Sequence, residues 1–125
     1  IMEKLFSLEE ATALLPQLKE MLGQVQIEKK RLISMKPDVE AAKEGHICDW
    51  GTPIGPTYIM VLEAFQESLL RIKDLGVLVK DFDRGLCDFP HQRDGKVVYL
   101  CWKLGEEKIS WWHDVNTGFS GRQPL

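Results

Sequence analysis

The chain has 125 residues, a formal net charge of −3 and three cysteines, none of them in a C-x-x-C pair. This length suits one domain with its own core, and the cysteine pattern argues against both a disulfide framework and a simple zinc knuckle. The acidic balance excludes a broad phosphate-binding surface, no apolar run approaches the roughly 18 residues of a membrane span, and the first residues lack the features of a secretory signal. We therefore expect a cytoplasmic protein that binds neither nucleic acid nor membrane.

The first predicted element is a long amphipathic helix. The segment Ser7-Leu-Glu-Glu10 is a capping box, so the helix should begin at about Leu8. Apolar residues then recur at three- and four-residue steps in a coiled-coil-like seam: Leu8, Ala11, Leu15, Leu18, Leu22, Val25 and Leu32. Pro16 predicts a kink, or a break into a short and a long helix, and Pro37 predicts a stop near Met35.

Residues 44–56 contain three glycines and two prolines, which is typical of a connecting loop. A second helix is predicted at about 56–75, with apolar residues at helical spacing and Gly76 as its C-terminal cap: Tyr58, Leu62, Phe65, Leu69 and Ile72. Two helices with matching apolar stripes most simply form an antiparallel hairpin over residues 7–76. Such helices could also pair with another copy of the chain or with another protein, so an interaction or homo-oligomerisation protein with a purely structural sheet is one predicted function.

From residue 77 the hydrophobic period changes to that of strands. Short β-branched and aromatic runs at 77–82, 86–89, 97–104 and 109–115 are separated by turn residues, which predicts a four-stranded antiparallel meander over residues 77–125. The predicted fold is therefore a single α+β domain spanning residues 1–125, with a long helical hairpin followed by a small antiparallel sheet.

Hairpin register predicts which reactive side chains meet. Asp94-Gly95 favours a two-residue type I′ turn, which places Asp88 opposite Cys101. The next hairpin allows two loops: a three-residue loop sets Cys101 opposite His113, whereas a two-residue loop pairs Cys101 with Trp112 and turns His113 to the other face.

A carboxylate, a thiolate and an imidazole in one row, from Asp88, Cys101 and His113, would suit zinc or another late divalent metal. The outer strands lie on the order of 10 Å apart, so we expect that a strong twist or a bulge is needed to bring the ligands together. One alternative is that Cys101 is a small buried hydrophobe and His113 a hydrogen-bonded structural residue. Another is a hydrolase in which His113 activates Cys101 as the nucleophile.

Further candidates surround this row. Arg122 could bind an anion or a carboxylate ligand, or else pair with an acidic neighbour such as Glu106, itself a candidate ligand-binding residue. Strand alternation puts Trp111 and Trp112 on opposite faces, so one of them, for which Trp112 is the candidate, should be exposed and mark a pocket or an interface. His46 and Cys48 form an isolated H-x-C in the predicted loop, without a further ligand that spacing can supply.

Motifs along nearly the whole chain resemble a bacterial family known as domain of unknown function 2203. They are Phe6-Ser-Leu-Glu-Glu-Ala11, Leu14-Leu-Pro16, Gly85-Leu-Cys-Asp-Phe-Pro90, Asp94-Gly95, Leu100-Cys-Trp-Lys-Leu-Gly-Glu106, Trp112-His113 and Gly118-Phe-Ser-Gly-Arg122. The resemblance implies family positions at Asp88, Cys101, Glu106, His113 and Arg122, and none at His46, Cys48, Cys87 or His91. It implies no assigned activity.

Overall fold

Two helices precede a five-stranded antiparallel sheet. The computed structural model describes residues 3–43 and 54–125, and side-chain surroundings for 3–37 and 55–125. Helix α1 spans Leu8–Lys43 and α2 Ile54–Asp74; the strands are β1 Leu78–Asp81, β2 Leu86–Arg93, β3 Lys96–Lys103, β4 Trp111–His113 and β5 Gln123–Pro124, with a 3-10 turn at Phe119–Gly121 before β5. The predicted α+β class is confirmed. Neither described helix combines the length and apolarity that crossing a membrane requires.

The start of α1 is the predicted capping box. The Ser7 amide donates to Glu10 Oε1 at 2.9 Å, and the Glu10 amide donates to Ser7 Oγ at 3.0 Å. The helix then runs without interruption through Pro16 and Pro37, so the predicted break and the predicted stop near Met35 are both wrong. Both prolines lie on exposed positions, where water can bond the carbonyls that lose their intrahelical partner.

Helix α2 begins two residues before the predicted Pro56, so the last part of the expected 44–56 loop belongs to the helix. Proline is tolerated there because the first amides of a helix have no intrahelical acceptor. The helix ends at Asp74, and the predicted C-terminal cap Gly76 follows with a φ of 86°. The rest of the predicted loop, with His46 and Cys48, lies outside the described residues.

The sheet has the strand order β1-β2-β3-β4-β5, and each strand pairs with the next in the chain. The predicted meander is therefore confirmed, with one strand more than expected. The sequence could not reveal β5, because its two residues are too few to show alternation.

One face of the sheet packs against the helices. The buried strand residues Cys87, Phe89, Leu100 and Trp102 belong to one cluster with helix and N-terminal residues, among them Phe6, Ala11, Leu15, Leu18, Leu22, Val25 and Ile72. The N-terminus is fastened to β2, since the Phe6 amide donates to the Pro90 carbonyl at 2.7 Å and His91 Nδ1 donates to the Phe6 carbonyl at 2.6 Å. Because side chains alternate, Asp88 and Cys101 occupy the opposite face, away from α1.

Candidate metal centre

The first hairpin has the predicted geometry. Asp94 and Gly95 have φ values of 52° and 76°, as a type I′ turn requires. Arg93 pairs with Lys96 and, five residues further back, Asp88 pairs with Cys101. The two turn residues were therefore sufficient to predict that the Asp88 carboxylate lies beside the Cys101 thiol.

The second hairpin follows neither predicted register. His113 pairs with Tyr99, and Cys101 pairs with Trp111, because residues 104–110 form a longer connection. Two contacts fold this connection: the Trp102 indole N–H donates to the Glu106 carbonyl at 3.0 Å, and Ile109 is buried in the core. The register differs by two residues from the three-residue-loop prediction, and a shift of two preserves the face. His113 therefore shares a face with Asp88 and Cys101.

Asp88 and His113 meet directly above β3. His113 Nε2 lies 2.9 Å from Asp88 Oδ1, and the two side chains are 2% and 3% exposed. Since Asp88 is opposite Cys101 and His113 is opposite Tyr99, the contact crosses the central strand diagonally. The carboxylate of one outer strand and the imidazole of the other therefore meet above β3.

The hydrogen bonds of His113 orient its ring. Nδ1 lies 2.7 Å from the carbonyl oxygen of Asp114, which can only accept, so Nδ1 carries a proton. Nε2 faces the Asp88 carboxyl group. A single proton, carried by either Nε2 or the carboxyl group, makes this contact a hydrogen bond. Donation from Nδ1 to a backbone carbonyl is the usual arrangement of a histidine that binds metal through Nε2.

Cys101 completes the group. The ligand atoms of Asp88, Cys101 and His113 all lie within 4.8 Å of one another, and all three residues are buried. Burial, together with the negative charge of Asp88, raises the pKa of the Cys101 thiol to about 11, while Arg122 opposes this shift. The free thiol is thus protonated at neutral pH, and a metal ion would have to displace its proton.

The dimensions of the group fit a small divalent ion. With metal–nitrogen and metal–oxygen distances of about 2.0–2.2 Å and a metal–sulfur distance of about 2.3 Å, tetrahedral ligand atoms are roughly 3.3–3.7 Å apart. The histidine and carboxylate atoms, at 2.9 Å, would have to separate slightly, and the widest pair would have to close by about 1 Å. Small side-chain rotations supply such movements, and three protein ligands leave a fourth position open.

A cavity of about 370 Å³ opens onto this group. Asp88, His113 and Tyr99 line it from the sheet, and Lys80 lines it from β1. The segment 115–119, which follows β4, forms the remaining wall together with Leu86. The volume lies within the range of small-molecule sites, so a ligand could reach the open position.

Glu106 and Arg122 form a structural clamp beside the metal group. Arg122 donates to both carboxylate oxygens of Glu106, at 2.7 and 3.0 Å, and to the Cys101 carbonyl at 3.3 Å. Burial raises the pKa of Glu106, but the bonds from Arg122 and from the Lys103 amide outweigh it and leave this pKa below the usual range. The structure thus shows the pairing alternative, and a role of either residue in ligand binding stays a prediction.

Other sequence candidates lie elsewhere. Trp112 is half-buried on the helix-facing side of the sheet, with the Arg93 guanidinium 4.8 Å from its ring centroid, so the structure does not bring it to the cavity. Cys87 also faces the helices, and burial raises the pKa of its thiol to about 12. Cys87 and Cys101 therefore lie on opposite faces, where their side chains cannot form a disulfide.

Sequence reasoning missed Tyr99, Lys80 and the 115–119 wall. Tyr99 could have been found, because it lies two residues from Cys101 and so shares its face. The Tyr99 and His113 rings meet edge to face, with centroids 5.6 Å apart. Nothing in the local pattern marked Lys80, whose place in the site depends on β1 pairing with β2.

The comparisons with known proteins give a family without an activity. Residues 4–125 match the family model described as "Uncharacterized conserved protein (DUF2203)". Searches of curated proteins and of solved structures gave no significant match. Because the match covers nearly the whole chain, the protein belongs to the DUF2203 family.

Proposed function

We propose that Asp88, Cys101 and His113 bind a divalent metal ion such as zinc, with an open position toward the cavity. The observation that carries this proposal is the orientation of His113, whose Nδ1 proton is held by the Asp114 carbonyl while Nε2 points at Asp88. A nitrogen, a sulfur and a carboxylate oxygen are a donor set that zinc accepts. The buried free thiols of Cys87 and Cys101 also suit a reducing cytoplasm, which we propose as the protein's location.

The surroundings of Cys101 favour metal binding over nucleophilic catalysis. A reactive cysteine needs a lowered pKa and partial exposure, whereas this thiol is fully buried and its pKa is raised to about 11. A bound cation would stabilise the thiolate that the protein environment alone disfavours. The hydrolase alternative therefore has no support from this geometry.

Elemental analysis after zinc loading and gel filtration tests the proposal. We expect about one zinc per chain in the wild type, and loss of that zinc in Cys101→Ala and His113→Gln. Cys87→Ala is the matched control, because it removes an equally buried thiol from the opposite face. Circular dichroism confirms that each variant is folded. A folded wild type without zinc, or equal loss in Cys87→Ala, would overturn the proposal.

A second candidate function is self-association through the helices. A groove of about 360 Å³ lies between α1 and α2, and two of the residues that line it, Ile27 and Met60, are 62% and 69% exposed. On its floor, Glu28 Oε1 accepts from Gln24 and Ser68, whereas the buried Oε2 has no hydrogen-bond partner within residues 3–37 and 55–125. Such an oxygen needs a donor, since an unpaired buried polar atom costs about 1–3 kcal/mol.

We propose that a second copy of the chain covers this groove. Arg31 lines the groove as well, one helical turn from Glu28. In a two-fold arrangement each Arg31 can reach the Glu28 of the other copy, because the same patch is used on both sides. Sedimentation equilibrium should show a dimer that Met60→Asp dissociates and that Val97→Asp, an exposed apolar position on β3, leaves intact. A monomer at every concentration would overturn this proposal.

A further inference from the structure

Among the described residues that line the cavity above Asp88 and His113, one lysine forms no ion pair. Lys80 lines the cavity, with its Nζ 5.6 Å from the centroid of the Tyr99 ring. Arg84 lies 5.4 Å from the centroid of Phe119, which is another wall residue. Within residues 3–37 and 55–125, neither Lys80 nor Arg84 has an ion-pair partner.

Three acidic residues nearby are paired with other cations. Asp83 pairs with Lys29 at 2.9 Å, Asp114 pairs with Lys96 at 2.8 Å, and Glu106 pairs with Arg122. Asp81 accepts the Arg84 backbone amide at 3.0 Å. The acid on the cavity floor is Asp88, and His113 bonds it. Lys80 therefore offers an ammonium group at the cavity that no acidic side chain among the described residues holds in an ion pair.

We propose that this cavity binds a small organic anion, with its carboxylate or phosphate group held by Lys80. The inference rests on the proposed metal site, because the floor of the same cavity is Asp88 and His113. A bound divalent ion would add positive charge at that floor and offer its open position to an anionic oxygen. Tyr99 and Asn116 also line the cavity, and their hydroxyl and amide groups can donate hydrogen bonds to such a ligand.

Size limits the ligand. A cavity of about 370 Å³ lies near the lower end of the range for small-molecule sites, so it suits a compact metabolite better than a nucleotide or a peptide. Charge and volume thus agree on a small acid as the ligand class.

Nuclear magnetic resonance titration of the full chain tests the inference. The probes are inorganic phosphate and succinate at constant ionic strength, added to zinc-loaded and to chelator-treated protein. We expect saturable shifts of the backbone amide resonances of residues 115–119 with at least one probe. The probe that binds with the higher affinity identifies the preferred anionic group. Lys80→Met should weaken binding about tenfold, as expected for loss of one charged hydrogen bond.

Lys19→Met is the matched control, because it removes the same charge from an exposed position on α1. Unchanged affinity in Lys19→Met beside weakened affinity in Lys80→Met supports the inference. No saturable shift with either probe, or equal weakening in both variants, overturns it. The zinc content of the same samples separates the metal-site proposal from the anion-site proposal. If no zinc is bound, only the metal site is refuted. The titration of chelator-treated protein then still decides whether the anion binds.

Discussion

Removing the Asp88 carboxylate is expected to destabilise the fold even when no metal is present. The imidazole of His113 is 2% exposed, so removing the Asp88 carboxylate takes away the hydrogen-bond partner of a buried Nε2. In Asp88→Ala a buried polar group is left unpaired, which costs about 1–3 kcal/mol. Asp88→Asn should cost less, because its amide can donate to Nε2 while the Nδ1 bond to the Asp114 carbonyl is kept.

Urea unfolding at neutral pH with a chelator measures these costs as changes in the free energy of unfolding. The expected order is wild type, then Asp88→Asn, then Asp88→Ala, with a gap of about 2 kcal/mol between the two variants. Repeating the series with zinc at about 100 times its dissociation constant should add about 2.7 kcal/mol to the wild type and much less to Asp88→Ala. If Asp88→Ala costs less than about 0.5 kcal/mol in chelator, the buried hydrogen bond does not have the importance assigned to it.

Three further predictions follow from the turns, the clamp and the thiol. Gly85→Ala should lower the free energy of unfolding by about 2–5 kcal/mol. The φ of Gly85 is +65°, and a Cβ at this position would lie 2.4 Å from the Cβ of Leu104 on the facing chain segment. Gly95→Ala shares the positive φ without the clash and should cost only about 1–2 kcal/mol in the same urea series; equal costs would contradict the clash. Because the pKa of Glu106 is lowered in the fold, its contribution to stability is present above about pH 4.5 and is lost as the pH falls through the folded value. Arg122→Met should flatten this acid dependence in unfolding curves measured at stepwise lower pH, and an unchanged slope would refute the linkage. Because the pKa of Cys101 is raised from 9.0 to about 11, its contribution is present below pH 9 and is lost as the pH rises through about 11. In a variant whose other two cysteines are serine, we expect a thiol reagent to label Cys101 at neutral pH only after unfolding, and rapid labelling of the native protein would contradict its burial.

The sequence predicted elements whose cause is local. The capping box at Ser7, the cap at Gly76 and the type I′ turn at Asp94 each depend on a few adjacent residues, and the structure confirms all three. The predicted interruption of α1 at Pro16 and Pro37 was wrong, because the tolerance of a helix for proline depends on whether the carbonyl that loses its partner reaches water. Exposure of a helix face is a tertiary property that a proline alone does not reveal.

In the candidate site, too, the features with a local cause were predicted and those that depend on tertiary packing were not. The pairing of Asp88 with Cys101 followed from one turn, whereas the position of His113 depended on a connection whose length is set by packing of Ile109 and by the Trp102–Glu106 bond. Neither predicted loop was correct, but a register error of two residues leaves the face unchanged. The cavity could not be predicted, because Lys80 and Phe119 come together only through the strand order.

Helix α1 belongs to both halves of the molecule, which has a consequence for how the protein unfolds. Its residues from Ala11 to Val25 share a buried cluster with the strands, and Glu28 bonds to Ser68 of α2. A continuous helix that is buried against the sheet and against α2 leaves little of the structure that could open independently, so hairpin and sheet should lose protection against amide exchange together. Occupancy at Asp88 would then slow exchange in α2 as well, although α2 supplies no ligand to the site.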